Sequence, residues 1–460
     1  MKRIMMLGLL VVALLMTGCG TDTPTATPAS GGPSTPAAGG GGATATTAAS
    51  SGGPATEVSF YYPVAVGGPI SKILQGYADK FNAANPDVHV TPVFAGGYND
   101  VLTKIQTALQ GGGNPPELAV MLSTDMQTLI DADMISPFDD FINSSADGKA
   151  LIDDIYPAFL RNSQQDGHTY GIPFQRSTPV LYYNKDLFKA AGLDPEHGPA
   201  TWDDLVAYGK QLTKRDSNGN VTTWGLEIPS DGFPYWLFQG FAIANGQNVL
   251  GDAPNKVRFN DPSTVAALQF FADLSQKDQI EPPGVVIWNN TPTDFEAGKV
   301  AMVYHTTGSL TTILQKSKFP VGVSFLPKKQ QYGAPTGGGN FYIFKKTDPA
   351  KQKAAWRFVQ FMTSPEQAAQ WSIDTGYIAI RKSAYDVPAM KDYVVKVPQA
   401  LVARDQLQYA EKELTAHNST QIQHILGTAI QAAITGKSPP QAALDDAQKQ
   451  ADQLLSQFSK

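Results

Sequence analysis

Apolar runs and helical spacings alternate along the chain from Val58 onward, and this alternation constrains the fold more than any other feature. Val58 to Tyr62, Val88 to Phe94 and Leu118 to Leu122 have the composition of buried strands. Between them, apolar residues recur every three or four positions from Ile70 to Phe81 and from Leu102 to Leu109, as in helices. The alternation predicts an α/β fold in which helices flank a mainly parallel sheet.

Two loops follow strands of this predicted sheet and carry polar side chains. Ala95 to Asn99 (AGGYN) follows the second strand, and Ser123 begins the loop after the third. Parallel sheets bind ligands at the carboxyl ends of their strands. We therefore expect Tyr98 to line a cleft; a tyrosine in a surface turn is the alternative.

The stretch from Phe174 to Leu205 is interpreted as a strand, a helix, a loop and the start of a second helix. An apolar run from Pro179 to Tyr183 is followed by a short helical segment from Asp186 to Ala191. Thr201, with Asp204 three residues later, is typical of a capped helix start.

The N-terminus has the pattern of an export signal. Lys2 and Arg3 precede an apolar segment from Ile4 to Met16, which is shorter than the about 20 residues that span a bilayer. The only cysteine, Cys19, follows this segment in a context that resembles a bacterial lipobox. We predict a signal peptide over residues 1–18 and an extracytoplasmic protein, lipid-anchored through Cys19 to the outer face of the cytoplasmic membrane. An uncleaved short anchor with a chance cysteine is the alternative.

We predict that residues 19–56 form a lipidated cysteine followed by a disordered stalk. After Cys19 the segment consists almost wholly of Gly, Ala, Thr, Ser and Pro. Such a segment lacks the large apolar side chains that offset the loss of backbone entropy on folding. The folded part is expected to begin near Glu57.

Charge and motif content exclude several classes of function. The chain has 35 basic and 41 acidic side chains, a formal charge of −6, which argues against nucleic acid as a partner. It has no Gly-x-Ser-x-Gly, no His-Glu-x-x-His and no metal-ligand spacing among its six histidines. We therefore predict no metal, no cofactor and no enzymatic activity, although a glycosidase pair of carboxylates stays open. Residues 216–227 have some spacing of a calcium loop, but Asn218-Gly219 favours a hairpin turn.

Three further segments offer candidate binding residues. Pro229 to Gly240 is rich in aromatic residues; most should be core, but one or two could stack on a sugar or polyol ring. His305 to Ser309 follows a predicted strand at a helix start, where free amides and hydroxyls bind anions or hydroxyl groups. Tyr377 lies in a break between two helical segments.

Several motifs together resemble the extracellular solute-binding proteins of ATP-driven (ABC) sugar importers. They are Tyr182–Asp186 (YYNKD), Ala191–Pro195 (AGLDP), Thr201–Leu205 (TWDDL) and Gly298–Met302 (GKVAM) with Phe295 before it. Within this family the likeness is closest to the glycerol-3-phosphate-binding branch, through the run from Ser177 to Asp186 and through Thr375-Gly376-Tyr377.

The resemblance implies a fold of two α/β lobes that close on a ligand as a hinged trap, the type II periplasmic-binding-protein fold. Each lobe is expected to contain a mainly parallel sheet flanked by helices. The N-terminal lobe would take residues 57–175 and 319–366, and the C-terminal lobe residues 176–318 and 367–460. The implied partners are a small hydroxyl-rich solute (sugar, polyol or glycerol phosphate) and the transmembrane subunits of a permease. The protein is expected to be a monomer that touches the membrane only through its lipid.

The resemblance also implies the ligand-binding residues. They are Tyr98, Ser123, Ser177, Thr306, Gly338, Tyr377 and Gln423, with Tyr235 or Trp236 as an aromatic wall. The branch has Glu at the position of Ser123 and a phosphate-pairing Arg at the position of Gln423, so this chain departs from it twice. Arg176, which the branch lacks, could supply the missing cation; an arginine facing solvent or forming a salt bridge between lobes is the alternative.

The ligand and the class of function therefore stay partly open at this point. A neutral sugar or polyol competes with glycerol phosphate as the ligand. A secreted carbohydrate-active enzyme and a sensor without transport are the alternative functions.

Overall fold

The computed structural model describes residues 54–144 and 146–458. The predicted signal peptide, Cys19 and most of the predicted stalk lie outside these residues. The strands are β1 (Thr56–Tyr62), β2 (Val88–Phe94), β3 (Leu118–Leu122), β4 (Ile135–Ser136), β5 (Gln164–Gln165), β6 (His168–Thr169), β7 (Ile172–Ser177), β8 (Pro179–Asn184), β9 (Lys214–Arg215), β10 (Val221–Thr223), β11 (Met302–Thr306), β12 (Val321–Ser324), β13 (Ala334–Pro335), β14 (Gly337–Phe344) and β15 (Ala410–Glu411).

Helices occupy most of the remaining described chain. They are α1 (Ile70–Ala84), α2 (Tyr98–Gln110), α3 (Met126–Asp131), α4 (Asp139–Asn143), α5 (Ala146–Asp154), α6 (Pro157–Leu160), α7 (Lys185–Ala190), α8 (Trp202–Leu212), α9 (Pro234–Ala244), α10 (Pro262–Gln276), α11 (Thr291–Glu296), α12 (Leu310–Lys316), α13 (Pro349–Met362), α14 (Pro365–Thr375), α15 (Pro388–Lys396), α16 (Gln399–Gln406), α17 (Ser419–Ile434) and α18 (Pro440–Leu455). None of the helices within the described ranges is both long enough and apolar enough to cross a bilayer.

The first lobe is built on a six-stranded sheet. Its strand order is β2-β1-β3-β14-β4, and β7 also pairs with β14. β1 runs parallel to β2 and β3, as the alternation predicts, whereas β14 runs antiparallel to β3, β4 and β7. All five residues of β3 (LAVML) are buried, since helices cover both faces at the centre of the sheet.

The second lobe is built on the three-stranded sheet β11-β8-β12. Both neighbours of β8 run antiparallel to it. Parallel pairing next to this sheet includes the single-residue bridges Trp224 to Val300 and Glu227 to Val303. The two-lobe fold is confirmed, but the expected mainly parallel sheet does not hold here. A fully buried strand is apolar on both faces whether its neighbour runs parallel or antiparallel, so the sequence pattern does not reveal the strand direction. The residue limits of the lobes stay a prediction.

Two neighbouring strands connect the lobes. β7 pairs with β14 in the first sheet, and after Thr178 the same chain continues as β8 at the centre of the second sheet. β14 begins at Gly337, which pairs with Ser177. Residues 174–178 therefore lie where the chain passes from one sheet to the other.

Two local predictions from the sequence are confirmed, the capped helix start at Thr201 and the hairpin turn at Asn218-Gly219. The Thr201 hydroxyl accepts a hydrogen bond from the Asp204 amide at 3.1 Å, and the Asp204 carboxylate accepts one from the Thr201 amide at 3.0 Å. β9 and β10 form the predicted hairpin, in which Asp216 accepts hydrogen bonds from the Asn218 and Asn220 amides. The Asp216 carboxylate is thereby occupied by hydrogen bonds within the turn.

Candidate functional site

A small cavity, called here the inner cavity, lies between the two lobes. It is lined by Ala65, Val66, Tyr98, Leu122, Ser177, Phe233, Trp236, Trp288, Thr306, Gly338, Tyr377 and Glu413. Ala65 and Val66 follow β1, Tyr98 follows the loop after β2, and Leu122 ends β3. The carboxyl ends of the three parallel strands therefore meet at this cavity, as expected for a ligand site on such a sheet.

Two tyrosines, Tyr98 and Tyr377, lie next to each other in the lining of the inner cavity. The Tyr98 hydroxyl donates to the Gln175 side-chain oxygen at 3.0 Å. The Tyr377 ring stacks on Trp371 with centroids 5.8 Å apart, and the Tyr377 amide donates to the Thr375 hydroxyl at 3.2 Å. Burial raises the pKa of both tyrosines, so both hydroxyls keep their protons and can donate hydrogen bonds.

Aromatic rings from the second lobe form the opposite wall. The Trp236 indole donates to the Thr336 carbonyl at 2.9 Å, and the Trp288 indole donates to the Ala65 carbonyl of the first lobe at 3.2 Å. The Trp288 ring lies 5.1 Å from that of Phe233 and 6.3 Å from that of Trp236. Such faces stack on the apolar sides of sugar rings.

Glu413 contributes a carboxylate to the inner cavity. Its Oε1 accepts a hydrogen bond from the Tyr235 hydroxyl at 3.1 Å, and its Oε2 accepts one from the Ser123 hydroxyl at 3.4 Å. The Glu413 amide donates to the Asn162 side chain at 3.0 Å. Burial raises the pKa of Glu413 to about 8, although the charge of Arg176 acts in the opposite direction.

A wider space, called here the outer cleft, adjoins the inner cavity and shares Leu122 and Phe233 with it. It is lined by Asn99, Leu122, Gly232, Phe233, Pro234, Tyr235, Thr420, Gln421, Gln423, His424, Ile425, Gly427, Thr428, Gln431, Gln450, Gln453, Leu454 and Gln457. The space open to the centres of water-sized molecules is about 860 Å³ in the outer cleft and about 40 Å³ in the inner cavity. The inner value corresponds to roughly three waters.

Residues 76–397 match the family model described as bacterial extracellular solute-binding protein. This chain belongs to that family. Its relatives include the sn-glycerol-3-phosphate-binding periplasmic protein UgpB of Escherichia coli (strain K12), which is 30% identical over 419 residues, 88% of this chain and 94% of the relative. The resemblance to the glycerol-3-phosphate-binding branch is thereby confirmed.

Solved structures of other proteins share the fold of this solute-binding protein. UgpB from Mycobacterium tuberculosis in complex with glycerophosphocholine has a TM-score of 0.77 at 23% identity, covering 88% of this chain and all of the other. The substrate-binding protein Lmo0181 from Listeria monocytogenes in complex with cycloalternan has a TM-score of 0.74 at 22% identity, covering 87% and 99%. These similarities show the two-lobe fold.

The structure of this solute-binding protein brings six of the ten predicted ligand-binding residues to the inner cavity. They are Tyr98, Ser177, Trp236, Thr306, Gly338 and Tyr377. Thr306 ends β11, and its hydroxyl accepts a hydrogen bond from the Gly308 amide at 3.1 Å. Tyr235 and Gln423 line the outer cleft instead, and Ser123 lies behind the inner cavity on Glu413.

Arg176 does not line either space. Its Nη1 donates to Asn340 and its Nη2 to Thr336, both at 3.2 Å, and the guanidinium lies 5.2 Å from the centre of the Phe159 ring. The side chain is fully buried, so it neither faces solvent nor reaches the cavity. Burial lowers the pKa of Arg176 to about 10, which still leaves it charged at neutral pH.

Six residues that line the inner cavity were absent from the predicted set, and two of them, Trp288 and Glu413, carry polar side-chain atoms. Trp288 lies in a loop rich in proline and asparagine, where a lone large aromatic residue is the one available signal. Glu413 follows β15 in a stretch of alternating charge (EKE) that looks like solvated surface. No local pattern distinguishes it, because its place depends on contacts with Asn162, Tyr235 and Ser123, which are far away in the sequence.

Proposed function

We propose that this protein is the solute-binding lipoprotein of an ABC importer, and that it captures a small hydroxyl-rich solute between its lobes and delivers it to the permease. The observation that carries the proposal is the inner cavity, where hydroxyls and aromatic rings from both lobes converge. Tyrosine, serine and threonine hydroxyls bond to ligand hydroxyls, and the indole rings cover their apolar faces. The names of the relatives, which include a glycerol-3-phosphate-binding and a cycloalternan-bound protein, agree with a ligand of this kind.

The mechanism that we propose is differential binding to two arrangements of the lobes. Tyr98 and Gly338 belong to the first lobe, whereas Trp236 and Thr306 belong to the second. A solute can contact all four only when the lobes are together. Its binding therefore shifts the hinge equilibrium toward the closed arrangement, which is the form that a permease would recognise.

A thermal-shift screen of the purified protein tests this proposal. The panel contains glycerol, glycerol-3-phosphate, glycerophosphocholine, and mono-, di- and trisaccharides. We expect at least one of these solutes to raise the melting temperature in a saturable manner. The same solutes, incubated with the protein, are expected to be recovered unchanged, because we propose a binding protein and no enzyme. The absence of any shift across the panel would contradict the proposal, and hydrolysis of a saccharide would favour the enzyme alternative.

The proposed anchoring through Cys19 has its own test. We expect wild-type protein expressed in a bacterium to fractionate with membranes and to be released as a monomer by detergent. The Cys19→Ala variant is expected in the soluble extracytoplasmic fraction, because the acyl chains have lost their attachment site. Ser51→Ala in the predicted stalk is the matched control and should remain with the membrane. Membrane association of Cys19→Ala equal to that of the wild type would refute the lipid anchor.

A further inference from the structure

The charges that surround the two spaces differ from those of a phosphate site. Among the described residues that line the inner cavity there is no Lys or Arg, and Glu413 is the one carboxylic acid. The described lining of the outer cleft contains no Lys, Arg, Asp or Glu. Phosphate groups are bound by cations or by clusters of charged hydrogen-bond donors, and the described residues that line the two spaces include no Lys or Arg.

The nearest buried cation is committed elsewhere. Both terminal nitrogens of Arg176 donate to side chains in or directly before β14, Asn340 and Thr336, and its guanidinium packs on Phe159. Turning Arg176 toward the inner cavity would leave two buried polar groups without a donor, which is costly. Arg176 therefore does not replace the phosphate-pairing arginine that the position of Gln423 lacks.

Glu413 is fixed in place and retains acceptor capacity. Tyr235 and Ser123 each donate one hydrogen bond to its side chain, and its amide is held by Asn162. Its raised pKa of about 8 leaves Glu413 mainly protonated at neutral pH. A protonated carboxyl group still accepts hydrogen bonds and also donates one, so a ligand hydroxyl can pair with it.

The outer cleft has the chemistry of a surface for further hydroxyl groups. Side-chain amides dominate its polar lining: Gln421, Gln423, Gln431, Gln450, Gln453 and Gln457. An amide both donates and accepts hydrogen bonds and carries no charge, which matches a hydroxyl. Gln423 and Gln431 are held in place by hydrogen bonds to the carbonyls of Leu414, at 2.9 Å, and Ser230, at 2.7 Å.

We propose that the ligand is an uncharged saccharide of at least two rings, favoured over phosphate esters because the described lining of both spaces has no Lys or Arg, and that Glu413 binds one of its hydroxyl groups. This inference rests on the proposed solute-binding function and names its substrate class. One ring lies between the aromatic walls of the inner cavity and donates a hydroxyl hydrogen bond to Glu413. The remaining rings extend over the glutamine-lined outer cleft. Because the inner cavity has room for roughly three waters, the lobes lie further apart around a bound ring than in this structure.

Titration calorimetry of the full chain at neutral pH tests the inference. The probes are glucose, maltose, maltotriose, trehalose and glycerol-3-phosphate. We expect at least one di- or trisaccharide to bind ten-fold or more tightly than glucose, and no binding of glycerol-3-phosphate. Glu413→Gln should weaken saccharide binding by about 2- to 10-fold, the loss expected for one hydrogen bond between neutral groups, because the amide nitrogen cannot accept the ligand's hydroxyl hydrogen bond. Asp125→Asn is the matched control, a buried acid that lines neither space, and should bind within two-fold of the wild type.

A second variant keeps the test informative where Glu413→Gln does not fold. Gln421 and Gln453 lie exposed on α17 and α18, so the double variant Gln421→Ala, Gln453→Ala should fold. We expect it to weaken di- or trisaccharide binding at least five-fold and to leave glucose binding unchanged.

The outcomes separate this inference from the proposed function. Tight binding of glycerol-3-phosphate would overturn the inference and leave solute binding intact. Equal affinities for glucose and for the longer saccharides would overturn the assignment of the outer cleft. The absence of binding to every probe would count against both.

Discussion

Among single residues, several acidic side chains inside this protein have pKa values raised by burial. Burial raises the pKa of Asp125 to about 7, that of Glu227 to about 7 and that of Glu413 to about 8. An unfolded chain releases these protons near pH 4 to 4.5. Between these limits the folded protein binds more protons than the unfolded one, so its free energy of unfolding decreases as pH rises.

Asp125 allows this dependence to be measured without altering the lining of the cavity. In Asp125→Asn the side chain no longer titrates, so the stability lost by the wild type between pH 4 and 7 should be retained. The free energy of unfolding of the variant relative to the wild type should rise by about 2 to 4 kcal/mol over that window, measured by urea denaturation. Asp392→Asn on the exposed surface should change the pH dependence little. A constant difference between Asp125→Asn and the wild type from pH 4 to 8 would show that Asp125 titrates normally in the folded protein.

At the scale of elements, the close contact of β7 and β14 depends on Gly338. Its φ is +90°, and a Cβ added there would lie 1.8 Å from the Gln175 carbonyl oxygen. An L side chain would therefore clash with the strand backbone as well as strain its own. The region in which the lobes are connected is thus shaped by a residue that also lines the inner cavity.

Gly338→Ala should accordingly lower the free energy of unfolding by about 2 kcal/mol or more, measured by urea denaturation. Gly219→Ala is the control, because Gly219 also has a positive φ (+85°) but has nothing within 4 Å of its added Cβ. Its cost should be about 1 kcal/mol. Equal losses of unfolding free energy in the two variants would mean that the close contact of β7 and β14 is not the cause of the loss in Gly338→Ala.

Elements with a local signal were predictable from the sequence, and those set by distant contacts were not. The strands β1 to β3, the helices between them and the Thr201 cap follow from periodicity and capping residues that lie within a few positions of each other. The antiparallel pairing of β8 and the inward orientation of Arg176 depend on partners more than 100 residues away. The same holds for Glu413, which no pattern in its own segment indicates.

The candidate site was predictable to the extent that it lies at strand ends. Tyr98, Thr306 and Tyr377 follow recognisable strands or helices, and all three line the inner cavity. Trp288 reaches the cavity from a loop without periodicity, so its position could not be inferred. The roles of these side chains in ligand binding stay predictions until a ligand is measured.

At the scale of the whole molecule, contacts between the lobes decide how readily the cleft opens. The Trp288 indole donates to the Ala65 carbonyl, which joins the second lobe to the first. On the second lobe the same ring packs 4.2 Å from that of His305. This hydrogen bond forms only when the lobes are together, so it contributes to the closed arrangement.

Trp288→Phe should keep the aromatic wall and remove this hydrogen bond. A net hydrogen bond contributes about 0.5 to 1.5 kcal/mol, so ligand affinity should fall by roughly 2- to 10-fold. Small-angle X-ray scattering without ligand should show a larger radius of gyration than that of the wild type. Trp224→Phe, outside both spaces, should change neither quantity. Unchanged affinity and dimensions in Trp288→Phe would contradict a role for this contact in closure.

A solute that binds between the lobes in the inner cavity should stabilise the wild type but not variants that lack a side chain of that cavity. A solute present at 100 times its dissociation constant stabilises a protein by about 2.7 kcal/mol, which appears as a shift of several degrees in the melting temperature. For the solute that stabilises the wild type, Tyr377→Ala and Trp236→Ala should show no shift, whereas Tyr332→Ala, outside the inner cavity and the outer cleft, should shift as the wild type does. Shifts of wild-type size in both cavity variants would contradict binding in the inner cavity and place the solute elsewhere.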